Sequence, residues 1–124
     1  MKKIYTNKAP EPIGPYSQAI FSGNILFCSG QIPLDAKTGE IAGNNIEEQT
    51  QKVCQNIEAI LQHAGLSFEN VIKTTCFLQN MQDFAGFNKV YAKYFVSNPA
   101  RSCVAAAQLP KSVLVEIEVV AEND

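Results

Sequence analysis

Two amphipathic segments, each followed by a β-rich run, restrict the fold of this chain more than any other feature. The first extends from about Ile46 to Ala64 and the second from about Asn80 to Phe95, and each carries an apolar stripe at helical spacing. β-rich runs precede, separate and follow them, so the predicted order is strands, helix, strand, helix, strand, strand. Because right-handed crossovers place both helices on the same side, this order predicts an α+β fold with two helices on one face of a sheet.

The region before the first helix is predicted to contain three short strands. Lys3–Thr6 precedes a loop whose three prolines are incompatible with a helix. Tyr16–Phe21 and Ile25–Ser29 then form a predicted hairpin, because Gly23 and Asn24 can both adopt the positive φ that a tight turn requires. The N-terminal third therefore contributes a stiff loop and a hairpin.

Capping signals delimit the first helix. Asn45 can cap its start, with Glu48 three residues further on, and Gly65 stands where a left-handed C-cap is expected. His63, the single histidine of the chain, lies at the flank of the apolar stripe. A histidine in this position is usually solvated, so we do not expect a Ser-His or Cys-His nucleophile pair.

The segment from Val71 to Gln79 is predicted to be a strand that leads into the second helix. Its more apolar face comprises the even positions Ile72, Thr74, Cys76 and Leu78. Asn80 and Asp83 can cap the second helix, and its predicted buried stripe comprises Met81, Phe84, Phe87, Tyr91, Tyr94 and Phe95. Asn88 falls within that stripe. A buried amide needs hydrogen-bond partners, so Asn88 either braces the fold or supports a site.

Charged residues interrupt the two apolar runs nearest the C-terminus. Ala100–Leu109 and Val113–Val120 are predicted strands separated by a Pro-Lys-Ser turn. The first carries Arg101, and the second carries Glu116 and Glu118 on one face, because strand side chains alternate. Charges on apolar strands are costly unless they are paired or used, so this region is where we expect function.

The last strand predicts that one face of the sheet is covered by another copy of the chain. Val113, Val115, Ile117 and Val119 suit burial under helices, whereas Leu114, Glu116, Glu118 and Val120 form a half-apolar face. Both helices are assigned to the other side, so nothing within the chain covers this face. Faces of this kind are seldom left in water, which predicts a homo-oligomer with clefts at its subunit boundaries.

Composition limits the remaining possibilities. The 124 residues, 46% hydrophobic and 18% charged, correspond to one domain, residues 1–124. The net charge of −2 and the scattered basic residues make nucleic acid an unexpected partner. The absence of a long apolar run and of an apolar segment after Met1 favours a cytoplasmic protein with no membrane partner. The four cysteines are Cys28, Cys54, Cys76 and Cys103; no two are closely spaced, so we expect free buried thiols rather than disulfides or a zinc site.

The motifs of cofactor and metal enzymes do not occur in the chain. There is no glycine-rich phosphate loop, no H-E-x-x-H and no lysine in an apolar strand, so we expect neither a cofactor nor a metal. An arginine that can hold a carboxylate and a glutamate that can orient water suit hydrolysis of a small, reactive anion. From the residues alone, Arg101 and Glu116 on neighbouring strands could equally form an interface ion pair.

Five ordered motifs resemble the RidA/YjgF family of reactive-intermediate deaminases. They are I-G-P-Y-S-Q-A, S-G-Q-I-P, K-T-G-E, V-I-K-T-T-C-F-L and P-A-R-S-C-V-A-A-A-Q-L-P-K-S-V-L-V-E-I-E, and together they span about residues 9–120. The resemblance implies a chorismate-mutase-like protomer with a six-stranded mixed sheet, and a homotrimeric barrel with three interfacial sites. It also implies hydrolysis of 2-imino acids or their enamine tautomers, such as 2-aminoacrylate, to 2-oxo acids and ammonia.

The same resemblance implies roles for individual residues. Arg101 matches the carboxylate-binding arginine of the family and Glu116 its water-positioning glutamate. The residues that match the substrate-binding pocket are Tyr16, Ser29, Gly30, Asn88 and Cys103. Cys103 could equally serve packing, and Glu118 is expected to be a rim charge. The alternative functions are a trimeric regulator that senses 2-oxo acids without catalysis, a ribonuclease or a chaperone-like protein; the lack of a basic face argues against RNA.

Overall fold

Six strands and two α-helices make up the computed structural model, which describes residues 1–124. The elements are β1 (Lys2–Ile4), β2 (Ala19–Ser22), β3 (Ile25–Gln31), α1 (Ile46–His63), β4 (Val71–Leu78), α2 (Phe84–Tyr94), β5 (Ala100–Ala105) and β6 (Val115–Glu122). The strands form one mixed sheet in the order β1-β2-β3-β6-β4-β5, in which β4 and β5 are parallel and the other pairs are antiparallel. The predicted α+β fold of six strands and two helices is confirmed.

The connectivity differs from the expectation in one respect that matters for the site. We expected Arg101 and Glu116 on neighbouring strands, but β4 lies between β5 and β6. β4 pairs in parallel with β5 through Thr74 and Arg101, and antiparallel with β6 through Phe77 and Glu116. The Pro-Lys-Ser segment therefore carries the chain across the end of β4 and does not close a hairpin. The cause is long-range pairing, which a short connection in the sequence does not reveal.

The predicted ends of α1 are confirmed in detail. The Asn45 side chain accepts a hydrogen bond from the backbone N–H of Glu48 at 2.9 Å. At the other end Gly65 has φ +80°, its N–H donates to the carbonyl of Gln62, and the N–H of Leu66 donates to the carbonyl of Leu61. This pair of bonds is a Schellman motif, so local residues alone define where α1 begins and ends.

The core lies between the helices and one face of the sheet, largely as predicted. On β6 the side chains of Val115, Ile117 and Val119 are buried. Two predicted core residues, Ile72 and Met81, are instead exposed. A register shift between Val71 and Lys73 turns Ile72 away from the core, and Met81 lies in a 3₁₀ turn that precedes α2.

The opposite face of the sheet, termed the open face here, is covered by no element of the chain. β6 contributes Glu116, Glu118 and Val120 to it. Apolar side chains accompany these charges, and Phe27 on β3 and Val104 on β5 are each about half exposed. The mixed face predicted from the sequence of the last strand is therefore present.

Candidate functional site

Arg101 lies on the helix-bearing face of β5, under α2. It is directly opposite Thr74, a buried residue of β4, and this position aims its side chain at α2. Nη1 of Arg101 donates a hydrogen bond to Oδ1 of Asn88 at 2.8 Å. The guanidinium carbon is 4.7 Å from the centre of the Tyr91 ring, 5.5 Å from that of Phe84 and 5.9 Å from that of Phe87. An amide and three aromatic rings thus hold the guanidinium in place.

No carboxylate neutralises this guanidinium. The single ion pair in the structure joins Lys52 to Asp35, in a different part of the fold. Arg101 lines a cavity of about 330 Å³, termed the Arg101 cleft here, whose other lining residues are Asn88, Tyr91, Ala92, Phe95, Asn98 and Pro99. A half-buried guanidinium with free N–H donors is suited to bind a carboxylate through two parallel hydrogen bonds.

Cys103 follows two residues after Arg101 and shares its face of β5. Its side chain is half buried and lies opposite the buried Cys76 of β4. Burial raises the pKa of the Cys103 thiol above its usual value, and the charge of Arg101 only partly counteracts this rise. The thiol is therefore protonated at neutral pH, which favours a pocket-lining role over a nucleophilic one.

Glu116 lies in a second cavity, of about 580 Å³, on the open face. This Glu116 cleft is lined by Ile13, Tyr16, Ser29, Gly30, Ile32, Pro110, Lys111, Glu116 and Glu118. Burial raises the pKa of the Glu116 carboxyl above its ordinary value, and the charge of Glu118 contributes to the rise. A carboxylate with a raised pKa is a better proton acceptor than an ordinary one, which suits a general base acting through water.

Strand β3 and the N-terminal loop hold the other side of the Glu116 cleft together. Oγ of Ser29 donates to the carbonyl of Ser17 at 2.6 Å, and the N–H of Ser29 donates to the carbonyl of Gln18 at 2.9 Å. The Tyr16 hydroxyl accepts from the N–H of Ile13 at 3.2 Å, and its side chain is half exposed. These bonds fix the proline-containing loop at the cleft, so the aromatic ring of Tyr16 forms part of the wall.

The predicted site residues therefore form two groups. Arg101, Asn88 and Cys103 are associated with the helix-bearing face of β5, whereas Tyr16, Ser29, Gly30 and Glu116 surround the Glu116 cleft. Buried Val115 and Ile117 flank Glu116 and face the helices, which places Glu116 on the opposite face of the sheet from Arg101. One copy of the chain contains both halves of the expected site but does not join them.

Several residues at the two clefts were not identified from the sequence as site residues. Tyr91 and Phe87 were assigned to the core, although the approach of Arg101 gives their rings a second role. Lys111 was assigned to a turn, but it lines the Glu116 cleft with φ +56°. The sequence did contain a signal for Lys111. The Pro-Lys-Ser turn places a cation directly before the strand that carries Glu116 and Glu118.

The remaining chemistry-bearing residues lie away from both clefts or are buried. Cys28, Cys54 and Cys76 are free buried thiols, and burial raises the pKa of Cys28 and of Cys76 to about 12. His63 is exposed at the end of α1. No three His, Cys, Asp or Glu side chains are grouped as metal ligands. Neither helix has the length and apolar character needed to cross a bilayer.

Known proteins resemble this chain over nearly its whole length. The family model described as Endoribonuclease L-PSP matches residues 6–123. A RutC family protein of Pyrococcus horikoshii is 57% identical over 122 residues, covering 98% of this chain and 97% of that protein.

Solved structures agree with this sequence match. YyfA of the Rid protein family from Yersinia pestis has a TM-score of 0.94 and 47% identity, covering 98% of each chain. Escherichia coli TdcF, solved with bound serine, has a TM-score of 0.95 and 42% identity, covering all of both chains. With a family match across residues 6–123 and relatives this similar, the chain belongs to the RidA/YjgF family, whose family model is described as Endoribonuclease L-PSP.

Proposed function

We propose that this protein is a cofactor-independent imine and enamine hydrolase, a 2-iminobutanoate/2-iminopropanoate deaminase that releases 2-oxo acids and ammonia. The observation that carries the proposal is the Arg101 guanidinium, which is held by Asn88 and aromatic rings and has no carboxylate partner in its own chain. The serine bound to Escherichia coli TdcF supports the substrate class. Serine and a 2-imino acid share a carboxylate next to a carbon that bears nitrogen.

The complete site requires a second copy of the chain. Arg101 and Glu116 lie on opposite faces of the sheet, and the open face that carries Glu116 has no cover within the chain. Arg101 lies on β5, the edge strand of the sheet, so a homotrimer that packs its open faces together would have the Arg101 cleft at a subunit boundary, next to the Glu116 cleft of the neighbouring protomer. Three interfacial sites would result, each with Arg101 from one protomer and Glu116 from its neighbour.

The proposed reaction uses the two halves in sequence. Arg101 binds the substrate carboxylate, which leaves the C2 imine facing Glu116. The Glu116 carboxylate orients a water molecule and accepts one of its protons as the water oxygen bonds to C2. As this bond forms, the C=N π electrons move to the nitrogen, which receives the proton that Glu116 accepted and becomes an amine. Glu116 then transfers the proton of the C2 hydroxyl to that amine, so the C2–N bond breaks and ammonia leaves as the C2 carbonyl forms. An enamine substrate first gains a proton at C3 and thereby becomes the protonated imine, which loses a proton from nitrogen when the neutral imine forms.

No covalent intermediate is needed in this scheme. A protonated imine is already electrophilic, so orientation and proton transfer, together worth roughly 10²–10⁴-fold, account for a useful acceleration. The raised pKa of the Glu116 carboxyl supports its part, because a stronger acid would be a poorer proton acceptor.

A coupled assay tests the reaction itself. Threonine dehydratase supplies 2-iminobutanoate, and ammonia release should be faster with this protein than with buffer. Arg101→Ala should abolish the acceleration, and Arg101→Lys should restore little of it, because lysine has no fork of parallel donors. Unchanged ammonia release with the wild-type protein, together with tight 2-oxobutyrate binding, would favour a metabolite-binding regulator instead.

Subunit complementation tests where the site lies. Arg101→Ala and Glu116→Gln chains should each be inactive alone, but a mixed trimer would contain some interfaces with an intact Arg101 and an intact Glu116. Random mixing in equal amounts should restore about one quarter of the wild-type sites, because each cyclic interface draws one half-site from each neighbour. No recovery in verified mixed trimers would contradict an interfacial site.

A further inference from the structure

Gly30 is a glycine whose backbone conformation does not explain its presence. Five of the seven glycines have a positive φ, which other residues rarely adopt: Gly14, Gly23, Gly39, Gly43 and Gly65. Gly30 and Gly86 are not among them, so a side chain at either position meets no backbone strain. The reason for a glycine at position 30 must lie in its surroundings.

The three atoms that would lie nearest to a side chain at position 30 all belong to one residue, Glu116. A Cβ atom at this position would collide with Oε2 of Glu116 and would lie 2.9 Å from its Cδ and 3.2 Å from its Cγ. No other residue is among these nearest contacts. The carboxylate of Glu116 therefore lies directly over the Cα atom of Gly30, in space that a methyl group would fill.

A β-bulge creates this arrangement. Cys28 of β3 is opposite Val119 of β6 and Gln31 is opposite Ile117, so three steps along β3 match two along β6. The extra residue belongs to the Ser29–Gly30 segment, and bulges of this kind re-aim side chains next to functional sites. The hydrogen bonds of Ser29 to the N-terminal loop hold the bulge in place.

We propose that Gly30 is a positioning residue, whose missing side chain allows the Glu116 carboxylate to lie against β3 and hold the attacking water. This inference rests on the proposed hydrolase function and assigns Gly30 a role through Glu116 rather than through contact with substrate. The fold itself does not need the glycine. The atoms that an alanine would displace are the end of one flexible side chain, which can rotate towards solvent.

The contrast with Gly86 makes this point testable. A Cβ at Gly86 would lie 2.9 Å from Cγ2 of Ile46 and 3.0 Å from Oε1 of Glu47, on the packed neighbouring helix. Gly86→Ala should therefore lower the melting temperature clearly, because the branched Ile46 side chain is buried. Gly30→Ala should leave the melting temperature close to that of the wild type.

Gly30→Ala should lower activity when residue 116 is glutamate, but not further when it is the shorter aspartate. Gly30→Ala and Glu116→Asp should each lower kcat by roughly 100-fold, because each misplaces the carboxylate by about 1 Å or more. The alanine is expected to act only by misplacing the carboxylate, and Glu116→Asp has already misplaced it, so the double variant should be no worse than Glu116→Asp alone. Losses that multiply to roughly 10⁴-fold, or full activity of Gly30→Ala, would overturn the proposal.

A second readout does not depend on the reaction. ¹³C NMR of labelled glutamate carboxyls, assigned with Glu116→Gln, gives the pKa of Glu116 in the folded protein. The ionisable side chains that share its cleft are Tyr16, Lys111 and Glu118. Displacement into solvent should lower the raised pKa towards its ordinary value in Gly30→Ala. If the Glu116 pKa is the same in the wild type and in Gly30→Ala, the positioning role is disproved, whether or not the protein hydrolyses imines. If the Glu116 pKa falls as expected but no imine is hydrolysed, only the proposed function is refuted.

Discussion

Oδ1 of Asn88 accepts a hydrogen bond of 2.8 Å from Nη1 of Arg101, so a neutral amide on α2 orients a cation on β5 without neutralising it. Asn88→Asp changes that relationship with almost no change in shape. The new carboxylate would pair with the guanidinium and compete with the substrate. We expect KM for 2-iminobutanoate, or Kd for 2-oxobutyrate by calorimetry, to rise by roughly 100-fold, against roughly tenfold for Asn88→Ala, which removes one charge-assisted hydrogen bond.

The melting temperature and the affinity should not change in parallel in the two Asn88 variants. Asn88→Asp adds a charge pair and should retain the melting temperature, whereas Asn88→Ala loses a partner of Arg101 and should lower it. Wild-type affinity in Asn88→Asp would show that Arg101 does not bind the carboxylate.

Tyr91 connects the site to the core through a hydrogen bond of 2.7 Å between its hydroxyl and Oγ1 of buried Thr74. Tyr91→Phe leaves that hydroxyl of Thr74 without a strong partner, and Thr74→Val does the same to Tyr91. Each single change should lower the free energy of unfolding by roughly 1–3 kcal/mol in urea titrations. The double variant should lose less than the sum, because no orphaned polar group remains. Additive losses would indicate that the bond contributes little.

Glu118 should control the pH range in which Glu116 is active. Burial is the main cause of the raised Glu116 pKa and the charge of Glu118 is the second. Because the ionised form of Glu116 orients the water, activity rises as pH rises through this pKa. Glu118→Gln should lower the Glu116 pKa and move the acid limb of kcat/KM to lower pH. Glu122→Gln, at the end of the same strand, is the control and should leave the limb unchanged.

The same raised pKa predicts that Glu116→Gln stabilises the protein. The folded state binds the Glu116 proton more tightly than the unfolded state does, so proton binding stabilises the fold. This stabilisation is fully present at pH values below the unfolded pKa. It is lost as pH rises through the folded pKa. At neutral pH the ionised Glu116 is therefore destabilising, and Glu116→Gln should raise the melting temperature while abolishing activity. The difference should vanish below about pH 4, where both forms are neutral. A lower melting temperature at neutral pH would contradict the assignment.

The helices and the composition of each strand face were predictable because they depend on local residues. Asn45 and Gly65 fix the ends of α1 through bonds within a few residues. Alternation along β6 separates Ile117, which is fully buried under the helices, from Glu116, which is half buried on the open face. These features need no knowledge of what the strand pairs with.

The relation between the two half-sites was not predictable in this way. Alternation shows which side chains share a face within one strand, but it does not relate the faces of two strands. Arg101 pairs with Thr74 and Glu116 pairs with Phe77, three residues apart on β4, so the two side chains lie on opposite sides of the sheet. The bulge that accommodates the Glu116 carboxylate also arises from pairing between β3 and β6. Long-range register determined both features, and a single sequence does not report it.

The turn that borders the Glu116 cleft contains two consecutive residues in the left-handed region, Lys111 and Ser112, each with φ +56°. Neither is a glycine, so the turn is strained, and Ser112→Gly should raise the free energy of unfolding by up to about 1 kcal/mol. Ser112→Val should lower it by about 1–2 kcal/mol, because a branched side chain fits this region poorly. Ser22→Gly in strand β2 is the matched control and should be destabilising, since that backbone is extended. Destabilisation by Ser112→Gly would show that residue 112 is not a site of backbone strain. Stabilisation together with slower turnover would show that the rigid turn holds Lys111 at the cleft.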